Sequence, residues 1–178
     1  DRSPSRGLGD VYKRQNDYIS VPGLSITQNY SIFSVAKTTA GSGRDYLFDG
    51  VATNAARSLI ALRNSGTVRF WAGNWANSNI ASPTGFFTIA AVFDNTSSLL
   101  SVNGATVTGK NTGTYNLSNG IYIGTNYQTN ADFLEGDIAE FIIVDGVASA
   151  RDRQKVEGYL GQKWGVTAVL PSNDAYKS

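Results

Sequence analysis

The chain contains no cysteine, no histidine and no methionine. Without cysteine there is no disulfide framework and no thiol nucleophile. Without histidine there is no Ser-His pair, and a zinc site of the ordinary kind is excluded with it. What remains for catalysis is mainly carboxylates, Lys and Tyr. What remains for metal is an oxygen-ligand site of the kind that calcium takes. Charge is also scarce, at 16% of residues. No stretch approaches the roughly 18–20 apolar residues that cross a bilayer, so membrane insertion is not expected. No signal-peptide core opens the chain, so secretion would have to be encoded elsewhere or use another route. In place of these features stand 19 glycines and a high density of Asn, Ser and Thr. That composition suits many short strands joined by polar turns.

A length of 178 residues fits one domain, or one domain with a tail, and is enough to bury a substantial core. Residues 1–15, DRSPSRGLGDVYKRQ, stand apart from the rest. They follow neither a strand nor a helix period, and they hold Arg2, Arg6, Lys13 and Arg14 against Asp1 and Asp10. Taking those four basic and two acidic residues from the chain's 15 and 14 leaves 11 and 12, so the pI near 8.1 belongs to this leader. A basic patch for nucleic acid and a flexible solvated tail are two readings of it. The third is preferred: SPSRGLGDVYKRQ resembles the translated sequencing-adapter read-through that recurs at the ends of open reading frames in assembled metagenomes. On that reading the segment is not biological, the true N-terminus is missing, and the domain is part of a longer protein. No nucleic-acid partner is expected.

From Tyr18 onward the chain reads as about ten to twelve short strands and one helix. Strands are expected over Tyr18–Val21, Tyr30–Lys37, Asp45–Asp49, Arg57–Leu62, Thr67–Ala72, Phe86–Phe93, Ser98–Val102, Ala105–Thr108 and Ile121–Ile123. The turn Asn103-Gly104 makes the clearest hairpin. Gly73–Gly85 reads as a polar loop holding Trp75. Ile138–Val144 is apolar on both faces, with Ile138, Ile142 and Val144 on one side and Ala139, Phe141 and Ile143 on the other, which places it inside a layered sheet structure. Ser149 then reads as a helix N-cap, with Asp152 three residues on as an acidic variant of the capping box. Val156, Tyr159, Leu160, Lys163 and Trp164 share one helical face, with Trp164 expected in the core, and Gly165 supplies the stop. Thr167–Ser178 reads as a tail that packs loosely or links onward. These elements argue for an all-β, antiparallel two-sheet sandwich with one C-terminal α-helix.

Three pieces carry a family resemblance. Phe33–Lys37 (FSVAK) with Tyr46–Gly50 (YLFDG), Phe86–Ala105 with its Val102-Asn103-Gly104 hairpin, and Gly136–Gly165 resemble laminin-G-like jelly-roll domains of the concanavalin A-like lectin/glucanase superfamily. The last piece, with Glu157, Tyr159, Leu160, Lys163, Trp164 and Gly165, is similar to the bacterial and phage branch. The match covers roughly residues 16–170, leaving 171–178 as the tail. It implies a jelly-roll sandwich, and says little of ligand, since one sandwich hosts lectins, glycosidases and structural modules.

Candidate sites follow. Glu135, Asp137 and Glu140 form E-x-D-x-x-E, similar to the signature of laminarinase-type glucanases. Retaining hydrolysis needs two carboxyls about 5–5.5 Å apart. Strand alternation puts Glu140 opposite Glu135 and Asp137 unless a bulge intervenes, and the motif lies too near the C-terminal helix. Glu140 is therefore expected to pair with a basic residue or backbone amides under the helix, and no catalytic residue is assigned. Trp71, Trp75, Tyr122 and Tyr127 are the aromatic candidates for stacking on a sugar. Trp75 lies among the polar side chains of GNWANSN, so Asn77 joins Trp71, Trp75, Tyr127 and Asn126 as the expected ligand-binding set. Asp94, Asn95 and Asp132 are candidates for calcium, although isolated Asp-Asn pairs are usually turns. The expectation is a non-catalytic recognition or adhesion module whose partner is a glycan or a cell-surface or virion protein. It would belong to a larger extracellular, cell-surface or virion protein. A purely structural virion domain and a β-glucanase using Glu135 and Glu140 are the alternatives.

Overall fold

The computed structural model describes residues 17–39, 43–51, 57–64, 66–129 and 132–177. The leader 1–15 lies outside the described residues. Eleven strands are found among those described: β1 (Ile19–Pro22), β2 (Tyr30–Thr38), β3 (Asp45–Gly50), β4 (Leu59–Asn64), β5 (Thr67–Trp71), β6 (Trp75–Ala81), β7 (Gly85–Phe93), β8 (Ser98–Val102), β9 (Ala105–Lys110), β10 (Gly120–Ile123) and β11 (Gly136–Asp145). One α-helix follows, α1 (Ala150–Lys163). They form a six-stranded sheet, β1-β10-β3-β4-β5-β6, and a five-stranded sheet, β11-β2-β7-β8-β9. Every pairing is antiparallel. The expected sandwich is therefore the fold observed.

The two sheets meet over one apolar layer. Phe93 and Tyr30 from the five-stranded sheet stack at 5.0 Å, and Phe93 meets Phe48 and Phe70 from the other sheet edge-on at 6.2 and 5.8 Å. All four are buried. Edge-to-face contact places the positive rim of one ring on the negative face of another, which adds to the burial of area.

Three local expectations are corrected. Gly73–Gly85 is not all loop, because Trp75–Ala81 pairs with β5. Its inward positions are the small Ala76 and Ser78, and Ser78 Oγ donates to Val68 O at 2.6 Å, so a polar residue is buried at no cost in unmade bonds. In β11 the register shifts between Ile138 and Glu140. One extra residue there reverses the alternation: Ile138 joins Phe141 and Ile143 in the core between the sheets, while Ala139 and Ile142 face α1. Trp164 is not core. It is 41% exposed, and its indole N–H donates to Glu140 at 2.7 Å.

Helix α1 lies on the outer face of the five-stranded sheet, over Phe33, Val35 and Ala90. Ser149 caps it as expected: Asp152 N–H donates to Ser149 Oγ at 3.1 Å, and Ser149 O–H donates to the Asp152 carboxylate at 2.7 Å. The segment after the helix is docked on it. Leu170 is buried, Arg151 Nε donates to Tyr176 Oη at 3.2 Å, and Lys177 Nζ donates to Leu170 O at 2.6 Å. A Cβ on Gly158 would run into the Tyr176 backbone, so glycine there permits the close approach.

Candidate functional site

With α1 covering the five-stranded sheet, the outer side of the six-stranded sheet is the other broad face; Tyr46, Asp49, Leu59 and Ala61 at its middle are buried, and Trp75 is exposed at its end. Register assigns its residues directly. Ser20, Tyr122, Asp49, Leu59, Trp71 and Trp75 are successive cross-strand partners and form one row. Tyr46, Ala61, Arg69 and Asn77 form the next. Alternation sends the intervening residues, among them Phe48, Ile60, Phe70 and Ala76, into the core.

The first row carries a ladder of flat groups. Trp75 and Trp71 face each other across the β5–β6 hairpin with ring centroids 6.5 Å apart. The Arg57 guanidinium lies 5.3 Å from the Trp71 ring and 4.2 Å from the Tyr127 ring, so it is held between two aromatic faces. Tyr115 closes on Trp71 edge-on at 5.3 Å. The hairpin turn is built for that contact. Gly73 has φ +108°, and a Cβ there would meet the Tyr115 ring at 3.1 Å. Ala72 and Asn74 N–H groups both donate to Thr112 O, at 2.8 and 2.7 Å, which fixes the turn to the neighbouring loop.

Arg57 is fixed from below by Asp49. Its Nε and one terminal nitrogen each donate to a separate carboxylate oxygen at 2.6 Å, and the Asp49 side chain is fully buried. The same carboxylate accepts the Tyr127 N–H at 3.0 Å. A planar guanidinium gripped at both oxygens cannot swing, so it sets the tilt of Tyr127 and Trp71. Burial pushes the Asp49 carboxyl up to about 6, against the opposing pull of Arg57 and of the Tyr127 N–H. A folded value above the unfolded one means that this group favours the folded state most strongly below the unfolded value. That contribution is lost as pH rises through about 6. Chemical denaturation from pH 7 down to pH 4 is therefore expected to show a gain in stability from this group, absent in Asp49→Asn. An identical pH slope in the two proteins would contradict it.

The sequence-derived candidates fall as follows. Trp71, Trp75 and Tyr127 come together in the ladder, and Asn77 sits one row away, next to Arg69. Asn126 is buried and holds the Tyr127 loop: its Oδ1 accepts the Gln128 N–H at 3.0 Å and its Nδ2 donates to Asp132 at 3.2 Å. Tyr122 lies in the same row and meets Tyr18 edge-on at 5.4 Å. Asp94 precedes the 3-10 turn Asn95–Ser97 after β7, and its N–H donates to Ser98 Oγ. Asn95 N–H donates to the Gln28 side chain. Among the described residues no group of three or more Asp or Glu converges as a metal cluster would. Arg57 and Asp49, which order the site, were missed. The available signal was an Asp closing the apolar strand Tyr46–Gly50 and an Arg opening the apolar run Ser58–Leu62, both buried-strand positions where a charge needs a partner.

Glu140 lies with Asp137 on the helix side, since the bulge puts both on one face, contrary to the alternation expected for this strand. Glu135 precedes the strand, and its C=O accepts the Thr39 N–H at 3.0 Å. Lys163 approaches the Glu140 carboxylate at 2.8 Å, and Lys163 with Trp164 holds it below the usual carboxylate range. A cavity of about 200 Å³ also lies on that side, between α1 and the segment after it, lined by Thr106, Arg153, Glu157 and Asp174 among others. Neither feature touches the aromatic ladder.

Residues 13–152 match the Laminin_G_3 family of the concanavalin A-like lectin/glucanases superfamily, and the chain belongs to it. No curated protein matches the chain in sequence. Among solved structures it is similar to domain 4 of AbnA, a GH43 extracellular arabinanase from Geobacillus stearothermophilus, in complex with arabinotriose. There the TM-score is 0.60 at 20% identity, over 76% of this chain and 69% of that one. It is also similar to domains LG4-5 of the mouse laminin alpha1 chain, with a TM-score of 0.55 at 15% identity, over 76% of this chain and 43% of that one. A third similarity is to tailspike protein 2 of the Escherichia coli O157:H7 bacteriophage CAB120. Its TM-score is 0.57 at 12% identity, over 82% of this chain and 23% of that one. At these identities the likeness is one of fold. No helix among the described residues is long and apolar enough to cross a membrane.

Proposed function

We propose that this domain is a non-catalytic carbohydrate-recognition module of a larger surface or virion protein, and that it binds saccharide on the outer face of the six-stranded sheet. The observation that carries the reading is the ladder Trp75, Trp71, Arg57 and Tyr127, with Trp75 43% exposed at its open end. An aromatic face bordered by polar side chains suits a ring that is apolar on its faces and hydroxylated at its rim. The ladder is also rigid before any ligand arrives, because Asp49, Gly73 and the Thr112 carbonyl fix its members. Preorganisation of this kind lowers the entropic cost of binding. The carboxyl beneath the ladder is locked to Arg57, so its role here is positioning. The similarity to the arabinotriose-bound domain 4 of AbnA supports the reading at the level of fold.

A glycan array followed by titration of its best binder tests this. Trp75→Ala should lower affinity by about tenfold or more, the scale of losing one exposed aromatic anchor. Its unfolding free energy should change by about 1 kcal/mol or less. An array that stays at background, or a binder indifferent to Trp75→Ala, would overturn the reading in favour of a purely structural module.

A further inference from the structure

Stacking explains how the ladder holds a sugar ring's face, and the second row bears on which ring it is. Arg69 stands on β5 two residues from Trp71, between Ala61 and Asn77. Among the described residues the other cations of this face have partners: Arg57 is bonded to Asp49, and Arg44 donates to Tyr46 Oη. Arg69 differs. It is half-buried, its Nε is shut off from solvent, and no acceptor meets that nitrogen. Asn77 is oriented as well. Its Oδ1 accepts the Asn79 N–H at 2.9 Å, and a backbone N–H can only donate, so the amide oxygen is identified by its partner. Thr67 Oγ1 lies 3.0 Å from the same oxygen. What Asn77 has left to offer is its Nδ2 donor. The row beside the tryptophans therefore presents donors, one of them a partly desolvated cation.

The shielded Nε is out of a ligand's reach as well, but the two terminal nitrogens are not among the buried unpaired atoms, and a planar anion can take an N–H from each of them at once. Same-face neighbours along a strand are about 7 Å apart, close enough for a ring over Trp71 and Trp75 to place a substituent at Arg69. We infer that the ligand is an acidic saccharide, a sugar whose carboxylate pairs with Arg69 and accepts from Asn77 Nδ2 while its ring lies on the ladder. The inference rests on the carbohydrate-binding reading above and adds the ligand's charge to it.

The test uses the intact protein and two families of probes, uronate oligosaccharides (galacturonate and glucuronate) and sialyl oligosaccharides, each paired with its own carboxyl methyl ester. Esterification removes the charge and keeps the ring, and the two families distinguish the source of the carboxylate. At least one acid should bind about tenfold or more tightly than its ester, the scale of one charge-assisted bidentate contact. Arg69→Gln should erase that preference, lowering acid affinity to about that of the ester. Arg69→Lys, which keeps the charge and loses the fork, should fall between the two and serves if Arg69→Gln does not fold. Equal affinity for acids and esters, or a preference that survives Arg69→Gln, would overturn the inference. Neutral sugars bound in a Trp75-dependent manner with no acid preference would overturn it and leave the carbohydrate-binding reading standing. No binding by any saccharide would overturn both.

Discussion

Asp49→Ala is expected to lower the unfolding free energy by about 3 kcal/mol and to abolish saccharide binding together. Three donors converge on the Asp49 carboxylate, two from Arg57 at 2.6 Å and the Tyr127 N–H at 3.0 Å. Removing the acceptor leaves all three donors without a partner, and the Arg57 side chain is only 14% exposed. A buried donor left unsatisfied costs about 1–3 kcal/mol; the sum is held to about 3 kcal/mol because Trp71 and Tyr127 still flank the Arg57 group. For a chain of this size that corresponds to a fall in Tm of roughly 6–12 °C. Binding should fail for a separate reason, since the ladder loses the tie that fixes Arg57 and Tyr127. Removing both charges separates the two effects. Asp49→Leu with Arg57→Met should recover most of the stability, because an apolar pair of similar volume replaces an ion pair at little cost. It should not recover binding. A double variant that binds normally would contradict the positioning role.

Phe93→Ala is expected to be the most destabilising single truncation in the core, at about 3–5 kcal/mol. The ring is fully buried and touches aromatic residues of both sheets: Tyr30 at 5.0 Å in its own, Phe48 at 6.2 Å and Phe70 at 5.8 Å in the other. The cavity would open between two sheets already tied by backbone ladders, and such a frame collapses only partly around a void. Against a typical total of about 5–15 kcal/mol, the loss is large. Urea denaturation should show a lower midpoint with an unchanged m-value, since the native surface stays the same. Phe93→Leu should lose less. A loss under about 1 kcal/mol for the alanine variant would mean that the core repacks freely, contrary to the interlocked ring cluster.

The fold was legible because its signals are local and repeated. Tyr30–Thr38 and Gly85–Phe93 combine length with apolar density, Asn103-Gly104 names its own turn, and Ser149 with Asp152 marks the start of the helix. What was not legible depends on how neighbouring segments pair and on local irregularities of register. β6 reads as loop because Asn77, Ser78 and Asn79 are polar, and Ser78 becomes a core residue only once Val68 O is opposite it. The faces of β11 depend on one extra residue near Ala139, which no period announces. Trp164 shares a helical stripe with Leu160, yet the close seating of Gly158 and Gly161 on the following segment leaves the indole at the rim. At the site, the aromatic members could be named because Trp and Tyr are conspicuous among Asn and Ser. Their organiser could not, because Asp49 lies in β3 and Arg57 just ahead of β4, and they meet only once the register sets Asp49 opposite Leu59.

Ligand lying on the aromatic ladder would be seen directly at the tryptophan side chains. The three tryptophans provide an internal comparison, since Trp71 and Trp75 belong to the ladder while Trp164 pairs with Glu140 on the opposite face. Each contributes one indole N–H resonance. Titrating the best saccharide from the array into the ¹⁵N-labelled protein should shift the Trp71 and Trp75 indole signals in proportion to occupancy and leave that of Trp164 in place. Saturable binding that moves only the Trp164 signal, or none of the three, would contradict the account.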